Sequence, residues 1–276
     1  MMKETLILMG SEVKTTRRSF EYQWRHLNKG ASLLTDAQFR RNCRKYILEE
    51  LGVEKIEGLV FDMGCGNGRW SYAFLTHGCE VVAMDYTVSG CRATRENTLE
   101  FKDSVEVLVG DVFHPPFRPN TADILFAFGI LHHTGDTKRA FEKLAPLVEE
   151  GGLYHVYLYA REDEPPSGQR FTLSRLYDQL LSSSIKLLFR IFRPNPRWQH
   201  RILSLLYKES KLHGAFDLLS PKIADRNLTE EEVEAWFQEN SFIRIRRIFP
   251  DWCSWDRSDL HMNGVRKRTN RSLNPP

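Results

Sequence analysis

The sequence has little of what marks disulfide-stabilised or zinc-binding proteins. Only 5 of its 276 residues are cysteine, and no C-x-x-C pair occurs among them. An odd, scattered set of cysteines argues against a disulfide framework and favours a reducing compartment, so we expect a cytoplasmic protein. The same spacing offers no zinc-ligand pattern, and we therefore expect no metal site.

Long apolar runs and a strong net charge are also missing. The apolar stretch TLILM (5–9) is too short to cross a membrane and has no small-residue cleavage site, so we expect neither an anchor nor a secretion signal. A formal charge of +3 is too small to indicate a nucleic-acid-binding protein by itself. The charge is uneven, however, because nine Lys or Arg residues lie between Arg170 and Lys211, against the acidic Asp178 and Glu209.

Short apolar runs alternate with helical patterns along the first part of the chain. The runs are continuous rather than alternating, which is typical of strands buried on both faces of a parallel sheet. This order predicts an α/β fold with a doubly wound sheet. The strand-like runs are 58–63, 80–85, 105–111, 122–128 and 153–159, and the helical patterns between them are 69–77, 88–100 and 137–149.

The stretch VFDMGCGNGRW (60–70) leads from the first run into three glycines on alternate positions, Gly64, Gly66 and Gly68. Glycine removes side chains from the strand-to-helix turn, so the backbone can come close to a ligand. The order is G-x-G-x-G, whereas a dinucleotide fingerprint needs G-x-G-x-x-G. An NAD-dependent oxidoreductase is therefore the least favoured interpretation.

Acidic side chains follow or close three successive strand-like runs. Asp62 precedes the glycines, Asp85 closes the second run, and Asp111 closes the third with Val112 beside it. The carboxyl ends of parallel strands meet at one edge of a sheet, where such folds bind ligands. At that edge Asp85 can accept hydrogen bonds from ribose hydroxyls and Asp111 from an adenine amino group. Together they predict a site for one adenosine.

The motifs VFDMGCGNGRW, VVAMDYT, VLVGDVFHPPF and FAFGILHHTGDTKRAFEKLAPLVEEGG occur in the order and spacing of one enzyme family. Residues 58–160 resemble the class I S-adenosylmethionine-dependent methyltransferases, in particular a type 11-like branch acting on small molecules. The resemblance implies a methyltransferase with a Rossmann-like sheet of seven strands, the last antiparallel, to which FIRIRRIF (242–249) and GVRKR contribute. It implies S-adenosyl-L-methionine as cofactor, contacted by Asp62, Gly64, Cys65, Gly66, Asn67, Gly68, Asp85, Tyr86, Asp111, Val112, Phe128 and Gly129.

Methyl transfer is an in-line displacement in which the protein mainly aligns the reactants and excludes water. It requires no metal, and a general base helps only when the acceptor loses a proton. His132 and His133 follow the fourth strand, where the family faces the cofactor's methyl group. Histidine can accept a proton near neutral pH, so His133 is the preferred base candidate. The alternative is that both histidines form a structural edge of the pocket.

The resemblance also divides the chain into four parts. We expect an N-terminal arm or lid (1–35), a cofactor-binding core (36–160), a helical insertion (161–215) and the rest of the core (216–276). The stretch SFEYQWRHL (19–27) is similar to an aromatic lid found in one branch of these enzymes. Tyr22 and Trp24 would then lie over the cofactor or the substrate, although ordinary core packing would explain them equally well.

The insertion carries apolar residues at helical intervals, interrupted by Pro194 and Pro196, which predicts two or three amphipathic helices. They form either a lid with solvated charges, a peripheral membrane contact through residues 170–211 that reaches a lipid-linked acceptor, or an RNA-binding surface.

The N-P-P-Y-like motif of amino-methylating nucleic-acid enzymes is absent, so we expect a nucleic-acid partner to be unlikely. The expected function is methyl transfer, at oxygen, to a small-molecule, glycan- or lipid-type acceptor. An RNA methyltransferase and a non-catalytic cofactor-binding protein are the alternatives. The sequence indicates no oligomeric state. Three further residues, His213, Phe216 and Asp217, are candidates for the acceptor pocket.

Overall fold

The fold is built on one seven-stranded sheet with the order β3-β2-β1-β4-β5-β7-β6. The computed structural model describes residues 11–26, 37–160, 173–192, 195–206, 227–253 and 259–268. Strands β1 to β5 pair in parallel, and β7 runs antiparallel to both β5 and β6. This confirms the predicted sheet. The strands are β1 (Leu59–Met63), β2 (Glu80–Asp85), β3 (Val105–Val109), β4 (Ala122–Phe128), β5 (Val148–Leu158), β6 (Phe242–Ile248) and β7 (Leu260–Arg266).

Eight α-helices occur in the described ranges, and several of them cover the two faces of the sheet. One buried core joins α2 and α3 to β1, β2 and β4, and a second joins α5 and α8 to β4, β5 and β7. Burial on both sides explains why the central strands read as continuous apolar runs. The helices are α1 (Ser11–His26), α2 (Ala37–Leu51), α3 (Arg69–Thr76), α4 (Val88–Asn97), α5 (Thr137–Leu144), α6 (Leu173–Phe192), α7 (Pro196–Leu206) and α8 (Glu230–Glu239).

The helix predicted over 137–149 was wrong at its C-terminal end. It begins after the Asp136 cap but ends at Leu144, where a 3₁₀ turn containing Pro146 follows. Proline has no backbone N–H with which to continue the helical hydrogen bonds, and its ring clashes with the carbonyl four residues earlier, which ends the α-helix there. Strand β5 then starts at Val148 rather than at residue 153. The pair Gly151 and Gly152 therefore lies inside the strand, beside an irregular register with β4, and does not close the helix.

The predicted helical insertion follows β5 as α6 and α7. Asn195 caps α7 through a hydrogen bond from the Trp198 amide, 3.1 Å long. Ile185, Phe189 and Leu203 form a small buried cluster against Tyr22 of α1. The insertion is thus connected to the N-terminal helix. None of the helices in the described ranges is both long and apolar enough to span a membrane.

A buried polar cluster joins α2 to the strands on the far side of β4. Glu50 Oε1 lies 2.8 Å from His155 Nε2 on β5 and 2.5 Å from His261 Nδ1 on β7. The Trp252 indole donates to Glu50 Oε2 at 3.1 Å. Glu50 and both histidines are at most 2% exposed. Burial alone raises the pKa of Glu50, but the hydrogen bonds and charges of the two histidines outweigh it and lower that pKa to about 2.

Candidate functional site

The glycine loop connects β1 to α3 at the carboxyl edge of the sheet. Gly64, Gly66 and Gly68 have φ angles of 82°, 55° and 80°, in the left-handed region that favours glycine. A Cβ at Gly64 would overlap the side chain of Ile130, and one at Gly66 would lie 2.7 Å from the ring of Trp24. Neither position has room for a side chain, so both the conformation and the space require glycine.

Backbone hydrogen bonds attach this loop to β2. The amides of Gly64 and Cys65 both donate to the Met84 carbonyl, at 2.7 and 3.1 Å. The Gly66 amide donates to Asp85 Oδ2 at 2.9 Å. These three amides therefore have acceptors within the protein. What the loop offers a ligand at these positions is a surface free of side chains, rather than free N–H groups.

Asp85 is the residue on which the loop and the next helix depend. Besides the Gly66 amide, its carboxylate accepts from the Thr87 amide at 2.8 Å and the Thr87 hydroxyl at 2.6 Å. Thr87 in turn caps α4 by accepting from the Gly90 amide. Three of the roughly four acceptor positions of a carboxylate are used in this way, which leaves about one for a ligand. Burial raises the pKa of Asp85.

Asp62 lies at the end of β1, 2% exposed, and accepts a hydrogen bond from the Ser71 hydroxyl of α3. Burial raises the pKa of this carboxyl to about 7, and the nearby Asp85 adds to the shift. A neutral Asp62 is therefore present in a substantial fraction of molecules at neutral pH. A ligand cation placed beside it would favour the ionised form.

The raised pKa of Asp62 predicts a pH-dependent effect of the Asp62→Asn substitution. In the unfolded chain this carboxyl ionises near its ordinary pKa of 3.8, whereas in the folded protein its pKa is about 7, so it stays protonated until about pH 7. Its contribution to stability therefore falls as the pH rises between these values, by up to about 1.4 kcal/mol per pH unit. We expect the free energy of unfolding of Asp62→Asn, relative to that of the wild type, to be higher at pH 8 than at pH 5. Urea unfolding at the two pH values measures the difference. An identical difference at both pH values would contradict the prediction.

The third strand end lies beside the second in the sheet, because β3 pairs with β2. Asp111 is half-buried and accepts from the Phe113 amide at 2.9 Å, which forms a tight turn that also contains Val112. Tyr86, directly after Asp85, has its ring 4.5 Å from the Arg17 guanidinium of α1. The predicted residues of β1, β2 and β3 therefore do share one edge of the sheet.

Helix α1 lies over this edge. The Trp24 ring lies against Gly66, and the Ser89 hydroxyl at the start of α4 donates to the Glu21 carbonyl at 2.9 Å. Among the residues that the structure describes, the Ser19 hydroxyl is buried with no hydrogen-bonding partner. An unsatisfied buried hydroxyl costs about 1–3 kcal/mol, so a ligand that reached it would be stabilised. Ser19 was not among the predicted site residues, although the spacing of the buried Thr16, Ser19 and Gln23 places them on one face of α1.

Aromatic rings border the other side of the glycine loop. Phe128, at the end of β4, stacks on Tyr157 with ring centroids 4.3 Å apart, and Arg69 lies 5.1 Å from the Phe128 centroid. Gly129 follows with a φ of 73°. A Cβ at Gly129 would be 3.5 Å from the Tyr157 ring, which is ordinary contact. Phe128 is thus held by its neighbours at the edge of the site.

The two candidate histidines occupy different environments. His132 is fully buried beside Tyr159, with ring centroids 4.0 Å apart. His133 is half-buried, and its ring lies 5.1 Å from Phe20 of α1. Both belong to a 3₁₀ turn that directly follows β4. His133 is therefore the better placed of the two to meet an acceptor from outside.

The remaining predicted residues lie away from the loop or outside the described ranges. Tyr22 is on α1, but its ring lies near His26 and His200, at 4.4 and 5.9 Å, in the direction of the insertion. Of the two aromatic residues predicted to cover the site, only Trp24 is seen against the loop. The positions of the three acceptor-pocket candidates, His213, Phe216 and Asp217, fall outside the described residues.

A protein-family model described as "Methyltransferase domain" matches residues 61–156, which contain the glycine loop and both following strand ends. The chain contains a class I S-adenosylmethionine-dependent methyltransferase domain. A sterol 24-C-methyltransferase of Schizosaccharomyces pombe is 27% identical over 155 residues, covering 52% of this chain and 40% of that protein. Human N-acetylserotonin methyltransferase, solved with S-adenosylmethionine, has a similar fold, with a TM-score of 0.53 and 14% identity over 96% of this chain and 62% of that chain.

The methyltransferase domain also resembles enzymes that act on RNA. A tRNA (carboxymethyluridine(34)-5-O)-methyltransferase of Arabidopsis thaliana is 29% identical over 112 residues, covering 40% of this chain and 26% of that protein. The expectation that nucleic acid is an unlikely partner is therefore not supported. The chain spans less than half the length of these two curated relatives.

Proposed function

We propose that the protein transfers a methyl group from S-adenosylmethionine to an oxygen atom of a small-molecule, glycan- or lipid-type acceptor. The observation that carries the proposal is the position of His133. It follows β4 at the same sheet edge as the glycine loop, half-buried beside Phe20 of the covering helix. An imidazole in such a place can take the proton of a hydroxyl acceptor.

The residues at the sheet edge fit the cofactor. The glycine loop brings bare backbone close to Asp62, where the methionine part would lie once the Trp24 ring moves away from Gly66, and the remaining acceptor position of Asp85 suits a ribose hydroxyl. Asp111 and the Val112 amide are proposed to meet the adenine, with Tyr86 near the ribose. Phe128 and Gly129 would border the sulfur. The bound cofactor supplies an activated methyl group on a sulfonium.

The protein's own contribution is alignment, exclusion of water and removal of one proton. Helix α1 covers the loop with Trp24 and is attached to α4 through the hydrogen bond from Ser89 to the Glu21 carbonyl, which would keep water from the reacting atoms. His133 would accept the acceptor's proton at a ring nitrogen. His132, fully buried against Tyr159, would hold the turn that positions it.

Replacing Asp85 by asparagine is expected to weaken the binding of S-adenosylmethionine about 10–100-fold, because a charge-assisted hydrogen bond to ribose contributes about 1.5–3 kcal/mol. The amide would also set an N–H group against the Gly66 or Thr87 donors. Isothermal calorimetry measures the change. Asp103→Asn, an exposed aspartate before β3, is the matched control and should bind like the wild type. Equal affinities for Asp85→Asn and the control would refute the role of Asp85.

The acceptor class can be tested with methyl-labelled S-adenosylmethionine. The protein is incubated separately with a lipid extract, a polar small-molecule extract and total tRNA, and incorporated label is measured in each. We expect label in one of the first two. Asp85→Asn should reduce this label at low cofactor concentration. Label only in tRNA would replace the proposal with an RNA methyltransferase, whereas cofactor binding without label in any fraction would favour a non-catalytic protein.

The RNA alternative has its own support in the basic insertion and in the tRNA-modifying relative. An apolar acceptor is favoured by the large apolar side chains that α6 and α7 expose, such as Leu205 at 86%. We also propose a cytoplasmic location, in keeping with the free thiols of Cys43, Cys65, Cys79 and Cys91.

A further inference from the structure

The two helices after β5 expose an unusual number of large apolar side chains. Phe192 is 72% exposed, Ile191 64% and Leu205 86%. Monomeric soluble proteins expose single apolar residues routinely, but a concentration of them marks a contact surface. We call the following set the α6–α7 surface: Leu187, Leu188, Ile191 and Phe192 on α6, with Trp198, Leu205 and Leu206 on α7.

These side chains do not lie on the core-facing sides of the two helices. The core-facing sides carry Ile185 and Phe189 of α6 and Leu203 of α7, which are at most 5% exposed and form one cluster. On α6 the exposed Leu187 and Ile191 are four residues apart and so share a different face. Each helix therefore has two apolar sides, one buried within the protein and one directed to solvent.

Apart from Asp178 in the first half of α6, the Asp, Glu, Lys and Arg residues in the sequence of α6 and α7 are all basic. Between Gln179 and Lys208 the sequence contains six Lys or Arg residues and no Asp or Glu. Lys186, Arg197 and Arg201 are exposed on the two helices. The Arg201 guanidinium lies 5.5 Å from the ring of exposed Trp198. Apolar, tryptophan and basic side chains together are typical of helices that lie in a membrane interface, where long basic side chains reach the lipid headgroups.

We propose that the α6–α7 surface docks onto an anionic lipid bilayer. Apolar side chains would enter the boundary between headgroups and acyl chains, while Lys186, Arg197 and Arg201 would face the negative headgroups. A second copy of this chain fits less well, because it would bring the same positive charge into the contact. RNA would be bound by the cations alone and would leave the apolar side chains in water.

Docking would give the enzyme access to a lipid-type acceptor, and this explanation of the docking rests on the proposed function. The docking itself does not. Helix α1 connects the α6–α7 surface to the cofactor site. Tyr22 of α1 packs on the cluster of α6 and α7, and Trp24, two residues later, lies against Gly66. A bilayer on the outer side of the insertion would therefore be separated from the cofactor loop by the insertion helices and α1.

Vesicle flotation of the full chain tests the proposal, with vesicles of phosphatidylcholine alone and of phosphatidylcholine containing phosphatidylglycerol. We expect the wild type to float with the anionic vesicles, and the bound fraction to fall as salt is added. Leu187→Ser/Ile191→Ser and Trp198→Ser/Leu205→Ser should each reduce the partition coefficient about tenfold or more. Arg197→Gln/Arg201→Gln should reduce the preference for anionic vesicles.

Leu99→Ser/Ile243→Ser is the matched control, because both side chains are exposed and apolar but lie far along the chain from α6 and α7. This variant should float like the wild type. Calorimetry with S-adenosylmethionine on every variant separates the two proposals, since intact cofactor binding shows that the domain is folded whatever the vesicles show.

Three results would overturn the docking proposal: no flotation with anionic vesicles, equal losses in the control and the test variants, or a dimer in solution that the α6–α7 substitutions dissociate. Methyl transfer does not enter these measurements, so none of the three results would by itself refute the proposed function.

Discussion

Replacing Glu50 by alanine is expected to lower the free energy of unfolding by about 3–5 kcal/mol, the range for removing one partner from a buried polar pair. The carboxylate lies within hydrogen-bond distance of His155 on β5 and His261 on β7 and accepts from the Trp252 indole. Without it, these groups lose their hydrogen-bonding partner. Urea unfolding followed by tryptophan fluorescence measures the change, provided that the transition is two-state.

Glu54→Ala is the control for this substitution, because Glu54 is exposed just beyond the end of α2. It should change stability by no more than about 0.5 kcal/mol. If Glu50→Ala is as stable as this control, the cluster does not stabilise the fold.

Acid provides a second test of the cluster. The pKa of Glu50 is lowered to about 2, so its contribution to the free energy of unfolding is present above about pH 4.5 and is lost as the pH falls towards 2. The wild type should lose its advantage over Glu50→Ala across that range.

Replacing His133 by alanine is expected to lower kcat about 10²–10⁴-fold, the usual contribution of a positioned general base. The affinity for S-adenosylmethionine should stay nearly unchanged, because the cofactor is proposed to lie on Asp62, Asp85 and the glycine loop rather than on the imidazole. Both quantities are measurable on the same preparation, kcat with the acceptor identified by methyl labelling and affinity by calorimetry.

His77→Ala is the matched control, since His77 is the C-cap residue of α3, at the end of that helix opposite the glycine loop. It should leave kcat within about twofold of the wild type. If His133→Ala loses kcat and cofactor affinity together, His133 is a structural part of the pocket. If the acceptor is methylated at carbon or at an atom that carries no proton, His133→Ala would lower kcat only slightly. That result would contradict the role of His133 as a base.

The sheet and the cofactor edge were predictable because their signals are local. Continuous apolar runs mark strands buried on both faces, and glycines at the end of such a run mark a tight turn into a helix. The capping box of Thr229 and Glu232 at the start of α8 likewise lies within four residues, so its sequence signal is local. Asp85 has both a local and a non-local signal. Its place at the end of β2 can be read from the sequence, but the hydrogen bond that it accepts from the Gly66 amide depends on how the strands are arranged in the fold.

The Glu50 cluster was not predictable, because His155 and His261 lie 105 and 211 positions away along the chain. Nothing in the letters distinguishes Glu50 from Glu49 beside it. The docking of α1 has the same cause: no local pattern tells which residue Trp24 will touch. The helix ending at Leu144 was missed although Pro146 was visible, because two glycines further on gave a stronger stop signal.

Helix α1 contacts the glycine loop through Trp24 and the insertion through Tyr22, so a single helix connects the two. Loading the cofactor past Trp24 would require α1 to move, and that movement would also alter the contact of Tyr22 with α6 and α7. We therefore expect turnover to follow a compulsory order, in which S-adenosylmethionine enters first and S-adenosylhomocysteine leaves last. Product-inhibition kinetics would reveal this sequence as competitive inhibition by S-adenosylhomocysteine against S-adenosylmethionine alone.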